Sequence, residues 1–100
     1  MTKPHEALRG LSDARLRVLA PDATHQHFKG GLYRHLGDAC DADTGDVILG
    51  KDGQPRQAYI HCYPYERKLW LRDFREWFGI VDRDGFRGPR FREIEGAVHL

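Results

Sequence analysis

The sequence predicts a mainly β domain. We expect a small β-barrel of about five strands, an N-terminal helical arm and one short helical turn near residues 73–78. Three observations predict it. Short β-rich runs sit between turn signals at Gly30-Gly31, Asp52-Gly53 and Asp84-Gly85. Helical periodicity is confined to the first 20 residues and to the turn after Arg72. Residues 56–78 hold seven of the eleven aromatic side chains, both tryptophans among them. At about 150–250 Å² of buried area each, a few such rings can dominate a small core.

Length and composition set the frame. One hundred residues make one domain the default. The chain is 40% apolar and 31% charged, which suits a globular fold and is too apolar for disorder. Net charge is +1 and the pI about 7.9, which argues against a protein that tracks a phosphate backbone. Eight basic residues fall between Arg67 and Arg92, but Asp73, Glu76, Asp82 and Asp84 lie among them. Mixed, solvated charge is the expected reading. Cys40 and Cys62 form no C-x-x-C pair and read as reduced thiols. The N-terminus carries no apolar leader and no run approaches the ~20 residues that span a bilayer. The expected location is the cytoplasm, with no membrane partner.

Taken in order, residues 1–22 read as an amphipathic helical arm. Leu8, Leu11, Val18 and Leu19 form its apolar stripe. Gly10 divides it, Ser12 is the expected N-cap of the second piece, and Pro21 ends it. Residues 24–29 read as a strand. Gly30-Gly31 permits a tight turn. Residues 32–39 resume as a strand, with Leu32, Arg34 and Leu36 on one face and Tyr33 and His35 on the other. Residues 38–45 are an acidic turn, and 47–49 a short apolar run.

Residues 57–63 are the clearest strand. Ala58, Ile60 and Cys62 alternate with Tyr59, His61 and Tyr63, and Pro64 ends it because it cannot donate to a ladder. Residues 68–72 form the next strand. Asp73 is the expected cap of a helical turn carrying Phe74, Trp77 and Phe78, with Gly79 as its stop. Ile80-Val81 and residues 86–94 pair around the Asp84-Gly85 turn, interrupted at Gly88-Pro89. The expected division is an arm (1–22), a barrel domain (23–95) and a tail (96–100).

Several of these segments resemble one family. His27-Phe28-Lys29-Gly30-Gly31-x-Tyr33 resembles its aromatic-Lys-Gly-x-x-Tyr opening. Ala58-Tyr59-Ile60-His61-Cys62-Tyr63 resembles its central Tyr-x-x-Leu-Tyr strand. Leu69-Trp70-Leu71-Arg72 with Trp77-Phe78, and Gly88-Pro89-Arg90-Phe91, resemble its later motifs. Together they are similar to the bacterial domain-of-unknown-function family numbered 1653, over residues 24–94. The resemblance implies an SH3-like barrel and no established activity. Asp73 departs from the family's proline, Pro64 from its glycine and Cys62 from its leucine.

The candidate ligand-binding residues are Lys29, Tyr33, Tyr59, Tyr63, Trp70 and Arg72. Aromatic rings converging on one side of a barrel can stack bases, hold a peptide or box a cation. The competing reading is that these rings are the core. Lys29 and Arg72 would hold a phosphate or carboxylate, or else form structural ion pairs. His25-x-His27 shares one strand face, but its spacing is no recognised metal pattern, and no metal or cofactor is expected. His61 and Cys62 point to opposite faces and cannot act as a dyad. The acidic turn from Asp41 lacks the glycine and glutamate of a calcium loop.

The preferred function is a non-catalytic binding module with an aromatic and basic surface. Its partner would be a peptide, a nucleotide or a nucleic acid. Two alternatives stand beside it. One is a small enzyme, or an accessory to one, acting on a nucleotide-like or phosphorylated substrate through His61, Lys29 and Arg72. The other is a structural interaction protein, dimerising through the arm or a strand edge.

Overall fold

The computed structural model of the protein describes residues 3–99. Met1 and Thr2 of the expected arm, and Leu100 of the expected tail, lie outside the described residues. Among the described residues the fold is mainly β, with seven strands in two sheets and two α-helices. Five strands make one antiparallel sheet: β1 (His25–His27), β2 (Leu32–Asp38), β3 (Gln57–Tyr63), β4 (Leu69–Arg72) and β7 (Phe91–Glu93), in the order β4-β3-β2-β1-β7. β5 (Ile80–Arg83) and β6 (Phe86–Pro89) form a separate hairpin. Asp84 and Gly85, both at positive φ, make its turn.

This corrects the expectation of about five strands in a barrel. The main sheet stays open, with β4 and β7 as its edges. The 80–89 segment pairs within itself, and residues after Pro89 join the main sheet beside β1. Gly88-Pro89 marks the end of the hairpin, since proline cannot extend the ladder.

Strand alternation gives the sheet two faces, each with its own core. On one face the arm docks. It comprises a 3₁₀ turn (Pro4–Leu8) and helix α1 (Asp13–Leu19), whose Ser12 cap accepts from the Arg15 N–H at 3.2 Å. Leu8 and Leu16 are buried there with Ala20, Ala23, Leu32 and Ile94. The 3₁₀ turn is fixed by Gln26, whose Nε2 donates to the Leu8 carbonyl (3.1 Å) and the Gly30 carbonyl (3.2 Å). Ala97 from the chain end also packs here.

On the opposite face, helix α2 (Phe74–Phe78) sets Trp77 against Tyr59 and Phe91. Its cap differs from expectation. The Asp73 side chain makes no cap hydrogen bond. The Asp52 carboxylate, in the turn before β3, accepts from the Arg75 N–H at 2.9 Å instead. Asp73 faces Arg56 (3.4 Å) and lies over Gly50, where a Cβ would come within 2.2 Å of its Oδ1. The 47–49 run forms isolated bridges and no strand, and Val47 and Leu49 are exposed.

Candidate functional site

The second face is unusual for what fills it. Four histidines, His25, His27, His35 and His61, lie among the aromatic rings. The period-two pattern accounts for their common side: His25 and His27 on β1, Tyr33 and His35 on β2, Tyr59 and His61 on β3. Trp77 stacks on Phe91 at 3.9 Å and on His35 at 4.5 Å. His35 Nε2–H donates to Gln57 Oε1 at 2.7 Å, which holds that ring in place. His25 packs edge-on to Trp77 at 5.3 Å. Burial, helped by neighbouring His35, takes its pKa down to about 4. These rings serve as packing surface. Among the described residues, no group of three or more His, Cys, Asp or Glu is placed to hold a metal ion.

Toward one end of this face the rings open into a cleft of about 370 Å³. Tyr33, stacked on His61 at 4.6 Å, lies on its wall, with Tyr65 edge-on to His61 at 5.5 Å. Lys29, Arg72, Arg83 and Arg90 supply its charge, and none of its lining residues is acidic. Beside the cleft, the Glu76 carboxylate lies 3.7 Å from Arg72 Nη1. Of the basic residues in the 67–92 segment, Arg72, Arg83 and Arg90 line the cleft, while Arg67, Arg87 and Arg92 pair with Asp22, Asp82 and Asp13. β4, the hairpin and the entry to β7 bring three of its arginines to one place.

Each cation is held differently. Arg72 Nε donates to the Tyr59 hydroxyl at 3.3 Å, and its guanidinium lies 5.5 Å from the Phe91 ring centre. Arg83 and Lys29 flank Phe28, at 5.2 and 5.9 Å from its centre. Arg90 is half-buried, and its Nε is buried with no hydrogen-bond partner among the described residues. Burial, then Arg72 and Arg83, lower its pKa.

His27 reports on this crowding. Burial comes first, and Arg72, Arg90, Lys29 and Arg83 all push the same way, taking its pKa down to about 3. Its Nδ1 accepts the Lys29 backbone N–H at 3.1 Å. The proton of the neutral ring therefore sits on Nε2, as a donor. His61 is also held neutral, chiefly by burial, and its Nε2–H donates to the Tyr63 carbonyl at 3.1 Å. Burial raises the Tyr33 hydroxyl pKa.

Two glycines make room for this arrangement. At Gly30 (φ 120°) a Cβ would meet the His5 carbonyl, so the 3₁₀ turn can lie against the loop. At Gly31 a Cβ would come within 3.0 Å of the Tyr33 ring. The arm reaches the cleft through His5, whose Nδ1 is 3.2 Å from the Tyr65 hydroxyl.

Of the six candidates, Lys29, Tyr33, Tyr59 and Arg72 come together. Lys29, Tyr33 and Arg72 line the cleft, and Tyr59 lies buried beneath Arg72. Tyr63 and Trp70 stand apart from them. Tyr63 packs against the arm-side core. Trp70 is 48% exposed on edge strand β4 and lines no part of the cleft. Arg83, Arg90, His27, Tyr65 and His5 were not among the candidates. His27 and Lys29 share strand parity, a signal that would have paired them. Nothing local in the sequence brings Arg83 and Arg90 to the same point.

Cys62 lies on the other side of the sheet from His61, and burial pushes its thiol up to about 11. It is no nucleophile at neutral pH.

These features define a mainly β domain carrying a cleft with aromatic walls and a cationic rim. The chain belongs to the protein-of-unknown-function family DUF1653, whose profile matches residues 23–93. No curated protein and no solved structure matches the chain. The matched span contains Lys29, Tyr33, Arg72, Arg83 and Arg90, whereas His5 precedes it. No helix among the described residues is long and apolar enough to cross a membrane.

Proposed function

We propose that the protein is a non-catalytic binding module for an anionic ligand, held in the cleft between β1, β3, β4 and the hairpin. One observation carries this reading: Lys29, Arg72, Arg83 and Arg90 line a single concave site with no carboxylate among its lining residues. Four cations gathered in a chain of net charge +1 raise local potential and concentrate anions. The family resemblance supports treating the architecture as an SH3-like variant, with residues 23–95 as the binding domain and residues 1–22 as an arm that completes one wall.

The state of His27 favours binding over catalysis. Its Nδ1 lone pair is engaged by Lys29 N–H and its Nε2 is protonated, so it has no free site to accept a proton. One observation favours the enzyme alternative. His61 donates through Nε2, which leaves Nδ1 as an unprotonated nitrogen beside the same cations. A general-base role for it requires a reaction that the His61→Asn variant loses while keeping ligand affinity.

Amide chemical-shift mapping with pools of nucleotides, oligonucleotides and acidic peptides tests the binding reading. The expected perturbations centre on Gly31, Tyr33, His61, Arg72 and Arg90. Perturbations confined to the arm face around Leu8 and Leu16 would sink it.

A further inference from the structure

The cleft's chemistry narrows the ligand further than an anion in general. Lysine and arginine side chains donate hydrogen bonds and accept none. A ligand that satisfies four of them must carry several acceptor atoms and more than one negative charge in a small volume. The four cations also converge. All of them line the one cleft beside the His27 ring. They share a single cavity of about 370 Å³. A nucleic acid strand offers singly charged diesters spaced along its length, which suits a basic stripe. A phosphate monoester carries about −1.5 to −2 at pH 7 and three acceptor oxygens on one atom.

The space is larger than one phosphate needs. At about 370 Å³ it falls within the range of small-molecule pockets. Its other wall is aromatic. Tyr33 is braced by its stack on His61, and Tyr65 remains 46% exposed, so a planar group can lie against it.

We propose that this cleft takes a phosphate monoester of nucleotide size. Its phosphoryl group sits among Lys29, Arg72, Arg83 and Arg90, and its base lies against Tyr33 and Tyr65. The proposal rests on the binding-module reading above.

Calorimetric titration at fixed ionic strength tests it with four probes: adenosine 5′-monophosphate, inorganic phosphate, a dinucleoside phosphodiester and glutarate. The monophosphate should bind at least about tenfold more tightly than each of the others, the margin that one or two charge-assisted hydrogen bonds supply. Arg90→Gln should weaken it by a similar factor. Arg83→Gln should do the same, and Arg83 is exposed, so this change leaves the core intact. Arg87→Gln, whose guanidinium faces Asp82 and does not line this cleft, should change nothing. Glutarate or the diester binding as tightly as the monophosphate would overturn the monoester assignment while leaving an anion-binding module standing. Inorganic phosphate binding equally well would overturn the nucleotide part. No binding by any of the four would overturn both readings.

Discussion

Arg92 grips Asp13 with both terminal nitrogens, at 2.7 and 3.0 Å, across the boundary between the arm and the sheet. The same carboxylate accepts the Glu95 N–H at 2.9 Å. The Arg92 guanidinium also donates to Gln26 Oε1 at 2.9 Å, and Gln26 in turn holds the Leu8 carbonyl. One ion pair thus connects helix α1, strands β1 and β7 and the 3₁₀ turn that carries His5 to the cleft.

Asp13→Asn should therefore loosen the arm. The pair is partly exposed, at 23% for Asp13 and 42% for Arg92, so the cost is well below that of a buried pair, about 1–2 kcal/mol. The hydrogen bond from Arg92, then that from Glu95 N–H, holds the Asp13 carboxyl below its usual range. A depressed carboxyl pKa contributes stability above its unfolded value, and that stability is lost as pH falls through the folded value. Urea unfolding below pH 4 should show this loss in the wild type and a smaller one in Asp13→Asn.

Gly30→Ala should damage both the turn and the arm. The residue sits at φ 120°, and a Cβ would collide with the His5 carbonyl. Backbone strain of this kind costs about 1–3 kcal/mol. Thermal unfolding measures the loss. Disappearance of the nuclear Overhauser contact between His5 and Tyr65 identifies displacement of the 3₁₀ turn.

The two tryptophans should behave oppositely. Trp77 is 2% exposed and stacked between Phe91 and His35, so Trp77→Ala should cost about 3–5 kcal/mol. Trp70→Ala, on an exposed edge, should stay within about 0.5 kcal/mol. Denaturant midpoints of the two variants check the contrast.

Mild acid should destabilise the fold through His25 and His27. Both have folded pKa values, about 4 and about 3, far below the ordinary 6.5. The unfolded chain therefore binds protons first. Stability from these rings is present above about pH 6.5 and drains as pH falls toward 4 and then 3, by at most about 1.4 kcal/mol per pH unit for each group. Urea midpoints between pH 7 and pH 4 should fall, and His25→Gln should flatten the slope.

The elements were legible where local chemistry decides them. Ser12 caps α1, Pro64 ends β3 and Asp84-Gly85 turns the hairpin, each from a signal within a few residues. The common side of Tyr33, His35, Tyr59 and His61 followed from strand alternation. What long-range contacts decide was hidden. Asp52 displaces Asp73 as the α2 cap because the turn before β3 folds back onto that helix. Trp70 and Trp77 are seven positions apart in one aromatic segment, yet one is an edge residue and the other the centre of a core. Arg83 and Arg90 reach the cleft only because the hairpin packs on Phe28 through Phe86, at 5.4 Å. The shared strand face of His25 and His27 was legible, but not that their rings pack against Trp77 and Phe91.

The central claim is that the cation-lined cleft receives an anion. It is tested most directly by following the arginine Nε–H resonances during a titration with pyrophosphate at constant ionic strength. Saturable shifts of Arg72, Arg83 and Arg90, with Arg17 and Arg67 on the arm side unmoved, are the predicted result. Shifts that are uniform and non-saturating, or that centre on Arg17 and Arg67, would contradict it.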